Sequence, residues 1–91
     1  MSQGLNKVYT ADQLIVTGAG SIAGLVVNSH SNGTFRIIDG LTAGAGRVMV
    51  DTWTLAAGPQ VITFPKPLAF TTGCYIDIGG TISYTAVYNP A

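Results

Sequence analysis

His30 and Cys74 are the single histidine and the single cysteine of the chain. A thiol beside an imidazole is the pairing that makes a nucleophile with its own base. The local pattern points elsewhere. Cys74 alternates with Ile76 and Ile78 on what reads as the apolar side of an extended segment, where a free cysteine behaves as a small hydrophobe. His30 stands next to Asn32-Gly33, a turn signal that places it near solvent. Zinc takes three or four nitrogen, sulfur or carboxylate ligands, more than these two residues supply. Asp39 and Asp51 are available as paired carboxylates, but nothing in their spacing requires that use, and Asp in such settings caps turns or pairs with Arg. No G-x-S-x-G nucleophile elbow is present.

Gly18, Gly20 and Ala23 fit G-x-G-x-x-A after the apolar run Leu14-Ile15-Val16, and Asp39 ends a later apolar run. In a dinucleotide fingerprint, such glycines let the backbone approach a pyrophosphate at a helix N-terminus. Here the continuation is Leu25-Val26-Val27-Asn28-Ser29-His30-Ser31-Asn32-Gly33, β-branched and turn-forming rather than helical. The motif is therefore read as a glycine turn between strands, and no cofactor site is expected. Asn32-Gly33-Thr34 matches the glycosylation sequon but reads first as a hairpin turn.

Composition narrows the class further. Charged residues make up 9% of the chain, against about 25% in an ordinary domain. Lys7, Arg36, Arg47 and Lys66 balance Asp12, Asp39, Asp51 and Asp77, so the net charge is zero, a condition that promotes association. Dispersed cations form no basic stripe for nucleic acid. The stretch from Gln13 to Phe35 carries no charge and contains Gly20-x-x-x-Gly24. Its apolar part, Leu14 to Val27, is interrupted and shorter than the roughly 20 residues of a spanning helix. No secretion signal is read at the N-terminus, and the lone cysteine fits a reducing compartment.

The elements that must position these residues are strands. Glu is absent and good helix formers are scarce, while the runs between the 12 glycines are rich in Val, Ile, Thr, Tyr and Phe. The expected fold is a single all-β domain over residues 1–91: a small antiparallel β-sandwich or barrel of about seven or eight short strands without substantial helix. Residues 1–6 form an extended N-terminal arm in this reading. Lys7 to Thr10 is a short edge strand, followed by Gln13 to Thr17. Ser21–Ser31 and Thr34–Asp39 pair as a hairpin about Asn32-Gly33, closed by Asp39-Gly40 and a loop from Gly40 to Gly46. Arg47 to Leu55 is a long strand with Arg47, Met49, Asp51 and Trp53 on one face. Ala57-Gly58-Pro59 turns, Gln60 to Phe64 stops at Pro65, and Pro65-Lys66-Pro67 is a stiff connector. Cys74 to Ile78 and Ile82 to Tyr88 are the last strands, separated by a turn at Gly79-Gly80.

The segments Leu55-Ala56-Ala57-Gly58, Thr63-Phe64-Pro65-Lys66-Pro67-Leu68-Ala69-Phe70, Gly73-Cys74-Tyr75-Ile76, Gly79-Gly80-Thr81 and Tyr84-Thr85-Ala86-Val87-Tyr88 together resemble the small all-β virion proteins of tailed bacteriophages. Ser31-Asn32-Gly33-Thr34 followed by Ile37-Ile38-Asp39 is similar to the same group. The resemblance brings no catalytic residues. It implies a structural virion component, a capsid decoration or cement protein that sits as a small homo-oligomer, often a trimer, between subunits of the major capsid protein. Its place would be the virion, assembled in the host cytoplasm. The residues expected to make the contacts are Lys7, Val8 and Tyr9 on the edge strand and the mixed face of Arg47, Asp51 and Trp53. The alternative is a head-fibre or tail-associated module that holds a host-surface glycan on Trp53, Tyr75, Tyr84 and Tyr88, which otherwise serve as cross-strand core pairs.

Overall fold

β-Branched and aromatic runs suit a pleated, half-buried surface, and most of the described residues lie in strands. The computed structural model describes residues 8–42 and 44–90, so Lys7 and the arm over 1–6 lie outside the described residues. The strands are β1 (Val8–Tyr9), β2 (Gln13–Thr17), β3 (Gly20–Thr42), β4 (Ala45–Thr54), β5 (Gln60–Phe70) and β6 (Gly73–Pro90). All pairs are antiparallel, and the sheet order is β1-β6-β3-β4, with β2 on β6 and β5 on β3.

The all-β antiparallel class is as expected, but the described residues form six strands, two of them long. The expected hairpin at Asn32-Gly33 does not form. β3 and β6 pair with each other from Gly20↔Pro90 to Asp39↔Cys74, straight through both presumed turns. At the middle the register passes from Ser31↔Thr81 to Thr34↔Gly79, leaving Asn32 and Gly33 opposite Gly80 alone. That is a bulge, which bends a strand and sharpens its twist without reversing it. Asn32 does take a left-handed conformation (φ 52°), and so does Gly80 (φ 73°). Gly33 does not, whereas a type I′ turn needs positive φ at both central residues. Gly33 is required for a different reason: a Cβ there would stand 2.7 Å from Ile82 and 3.0 Å from Leu55.

Two further boundaries move for related reasons. β3 runs past Asp39-Gly40 to Thr42, which pairs with Ala45, so the reversal is shorter than the expected 40–46 loop. Pro65 does not end β5, because Gly24↔Thr63 and Ile22↔Leu68 pair on either side of residues 64–67. An edge strand tolerates proline because its outward N–H groups need no ladder partner.

The bend decides the architecture. A straight strand of 23 residues would measure about 75 Å, yet the longest dimension of the molecule is 33 Å. The sheet therefore folds over on itself. One half comprises β5, residues 20–31 of β3, residues 81–90 of β6, and β1. The other comprises β4, residues 34–42 of β3, residues 73–79 of β6, and β2. Leu25, Val27, Ile82 and Tyr84 from the first half share one core with Phe35, Ile37, Cys74 and Ile76 from the second, closed by Leu55, Ile62 and Phe70. Facing sheets with interdigitated inner side chains are the packing of a sandwich. Each fully buried aliphatic or aromatic side chain contributes about 1.5–3 kcal/mol. Tyr84 carries its hydroxyl into this core and satisfies it by donating to the Ala11 carbonyl at 2.9 Å.

Candidate interaction surface

The chemistry-bearing side chains are dispersed and already engaged. Cys74 lies fully buried in the second half, paired in register with Asp39 and Val16. Burial pushes its thiol up to about 12, and the nearby Asp39 carboxylate adds to the effect. His30 lies in the first half, beside the bend. The Gly33 N–H donates to its Nδ1 at 3.1 Å, so the ring proton sits on Nε2, which donates to the Ala56 carbonyl. An open recess next to it, lined by Ser31, Asn32, Thr54 and Gly58, thus meets an imidazole with both nitrogens committed. Gly18 takes φ 97° and donates to the Thr72 carbonyl at 2.8 Å, and β3 begins two residues later. The glycine motif is thus a turn between strands, as read from the sequence.

Asp39 is a structural staple. Its Oδ1 accepts from the N–H groups of Thr72 (2.9 Å), Thr71 (3.1 Å) and Gly73 (3.4 Å), and its Oδ2 accepts from Thr71 and from Arg47 at 3.3 Å. Burial alone would raise its pKa. The N–H groups of Thr72, Thr71 and Gly73, with the Arg47 guanidinium, outweigh that and hold the carboxyl below its ordinary value. Asp51 is exposed and accepts from the Thr52 N–H. Among the described residues, no group of three or more His, Cys, Asp or Glu side chains is placed to hold a metal ion.

The residues expected at an interface fall in two places. Val8 is exposed on β1, while Tyr9 turns inward, its ring 5.7 Å from that of Tyr84. Arg47, Asp51 and Trp53 share edge strand β4, but its register slips between Trp53 and Val50 and again towards Val48, which breaks strict alternation. Arg47 reaches Asp39, Asp51 faces solvent, and Trp53 stacks on Phe35 at 5.9 Å with 44% of its surface exposed. The four aromatics considered for a glycan do not share a surface: Tyr84 is in the core and Tyr88 packs against it from the same half.

A more continuous surface emerges from the register. Val61 pairs with Val26, Val26 with Thr85, and Thr85 with Val8, forming one row across β5, β3, β6 and β1 on the outer side of the first half. A second row runs Thr63, Gly24, Val87, and beyond these lie Ser21, Ser29, Ser31, Thr81, Ser83 and Asn89. Val61 is 68% exposed, Val8 60% and Val87 39%. Among the described residues, no side chain on this face is charged, and none is longer than asparagine. The described charges lie elsewhere. Arg36 and Asp77 pair across β3 and β6 in the second half at 2.7 Å, joined there by Asp39, Arg47 and Asp51. Asp12 caps the Ile78 N–H at 2.8 Å, and Lys66 sits in the bulged stretch of β5. The scarcity of charge seen in the composition is thus also a segregation.

Alternation along Thr81, Ser83, Thr85 and Val87 carries the local signal for this face, but its assembly from distant segments depends on register. No family model, curated protein or solved structure matches the chain.

Proposed function

We propose that this chain is a non-enzymatic structural subunit that self-associates and docks onto the capsid lattice of a tailed phage, as a decoration or cement protein. The supporting observation is the smooth, uncharged outer face of the first half, where Val8, Val61 and Val87 stand exposed. β-Branched side chains have their χ1 rotamers restricted by the backbone, so ordering them at an interface costs little side-chain entropy. Buried apolar area on such a face supplies the association energy. The virion setting rests on the resemblance of the second half of the chain to small phage proteins.

Two measurements test this reading together. Light scattering over a concentration series is expected to show association, and co-sedimentation with expanded phage capsids is expected to show saturable binding. A protein that stays monomeric at high concentration and remains in the supernatant with every capsid tried refutes it.

A further inference from the structure

We propose that the outer face of β5, β3, β6 and β1 is a self-association surface, on which a second copy of this chain docks face to face about a two-fold axis. The inference deepens the assembly reading and rests on it.

Three observations select a second copy as the occupant. First, a two-fold interface brings the same patch together from both subunits, so a charge near the axis meets its own copy, and like charges in close contact cost several kcal/mol. The described side chains of this face carry none, whereas the opposite half carries Arg36, Asp77, Arg47 and Asp51.

Second, the area is sufficient. Strands about 4.8 Å apart and about ten residues of rise make a face of roughly 500 Å² on each copy before side-chain relief is added. Two such faces reach the roughly 1,000 Å² at which specific interfaces begin.

Third, edge-on association through β5 is hindered. β5 carries Pro65, Lys66 and Pro67 along its free edge. Proline and lysine on an edge are devices that block strand addition. The face is open where this edge is guarded, and contact through it closes at two copies.

Val61 and Val8, at opposite ends of the row, are exposed enough that Val61→Lys and Val8→Lys leave the core untouched. Sedimentation equilibrium from about 1 µM to about 1 mM is expected to take the wild type from its 9.4 kDa monomer to a dimer. Each lysine variant, with the circular dichroism of the wild type, is expected to raise the dimer dissociation constant by about a hundredfold or more, since each removes two buried valines per dimer. Thr52→Lys, on β4 in the other half, is expected to dimerise as the wild type does. A wild type that stays monomeric throughout overturns the inference, as do lysine variants that associate like the wild type. If the lysine variants keep the wild-type mass but lose capsid binding, the face serves the lattice; the inference falls and the assembly reading stands. A dimer that is sensitive to both lysines but binds no capsid supports the inference and removes the virion setting.

Discussion

Asp39→Ala is expected to destabilise the protein by about 3 kcal/mol, and Asp39→Asn by about 1.5 kcal/mol. The difference follows from how the carboxylate is used. Alanine leaves the N–H groups of Thr71, Thr72 and Gly73 without their acceptor. Gly73 is buried, and a buried orphan donor costs about 1–3 kcal/mol. Thr71 and Thr72 are exposed, so water replaces the lost acceptor and each loss is smaller. The Arg47 guanidinium is 66% exposed, so its pair with Asp39 adds only about 0.2–1 kcal/mol. Asparagine keeps a carbonyl oxygen where Oδ1 stands, retaining the bonds from Thr71, Thr72 and Gly73, but turns an amide towards Arg47. The pH dependence separates the two variants further. The folded-state pKa of Asp39 is depressed, so its contribution is present above the unfolded value near 3.9 and is lost as pH falls through the folded one. The gap between wild type and Asn variant is therefore expected to narrow below about pH 4. Equilibrium urea unfolding at a series of pH values measures both effects. An Ala variant within about 1 kcal/mol of wild type, or Ala and Asn variants that coincide, refutes the staple.

Cys74 is expected to resist thiol reagents at pH 8 in the folded protein and to react fully in denaturant, because the thiol is buried and pushed up to about 12; stoichiometric labelling of the native protein contradicts this. Gly33→Ala is expected to cost about 2 kcal/mol or more, since overpacking a tight core costs about 1–3 kcal/mol and the new methyl meets Ile82 and Leu55. Gly80→Ala is expected to cost about 2 kcal/mol or more, because its φ of 73° is left-handed and the new methyl meets the backbone carbonyls of Asn32 and Ser31. Thermal unfolding of both variants, with neither shifted, removes the close-packed bend as an explanation of the fold.

Side-chain alternation was readable because it is local. Cys74, Ile76 and Ile78 turn inward, and so do Ile82, Tyr84 and Ala86, as their spacing indicates. Where the chain bends was not readable. Asn32 has the positive φ that its turn signal implies, but the outcome depends on Gly80, a distant residue that lies opposite the Asn32-Gly33 bulge between strands that stay paired. Pro65 misled for a similar reason, since its effect differs between a central strand and the edge that β5 occupies. The outer valine face draws Val8, Val26 and Val61 from three remote segments, and alternation fixes which side each faces without fixing which residues become neighbours. Asp39 was visible as a carboxylate in a turn-rich region; its partners Thr71, Thr72 and Gly73 arrive only through the pairing of β3 with β6.

The position of β6 has a consequence for how the chain reaches its fold. β6 lies between β3 on one side and β1 and β2 on the other, although it follows all of them in the sequence. On the ribosome, where the N-terminal part emerges first, β1 and β2 have no partner until residues 73–90 are made. The β3 edge that β6 will cover stays open during that interval, with Ile22, Leu25 and Ile37 beside it. Sheets closed by such remote pairings fold over milliseconds to seconds rather than microseconds. Yield from a producing cell should therefore respond more to synthesis rate and temperature than the stability of the finished protein suggests.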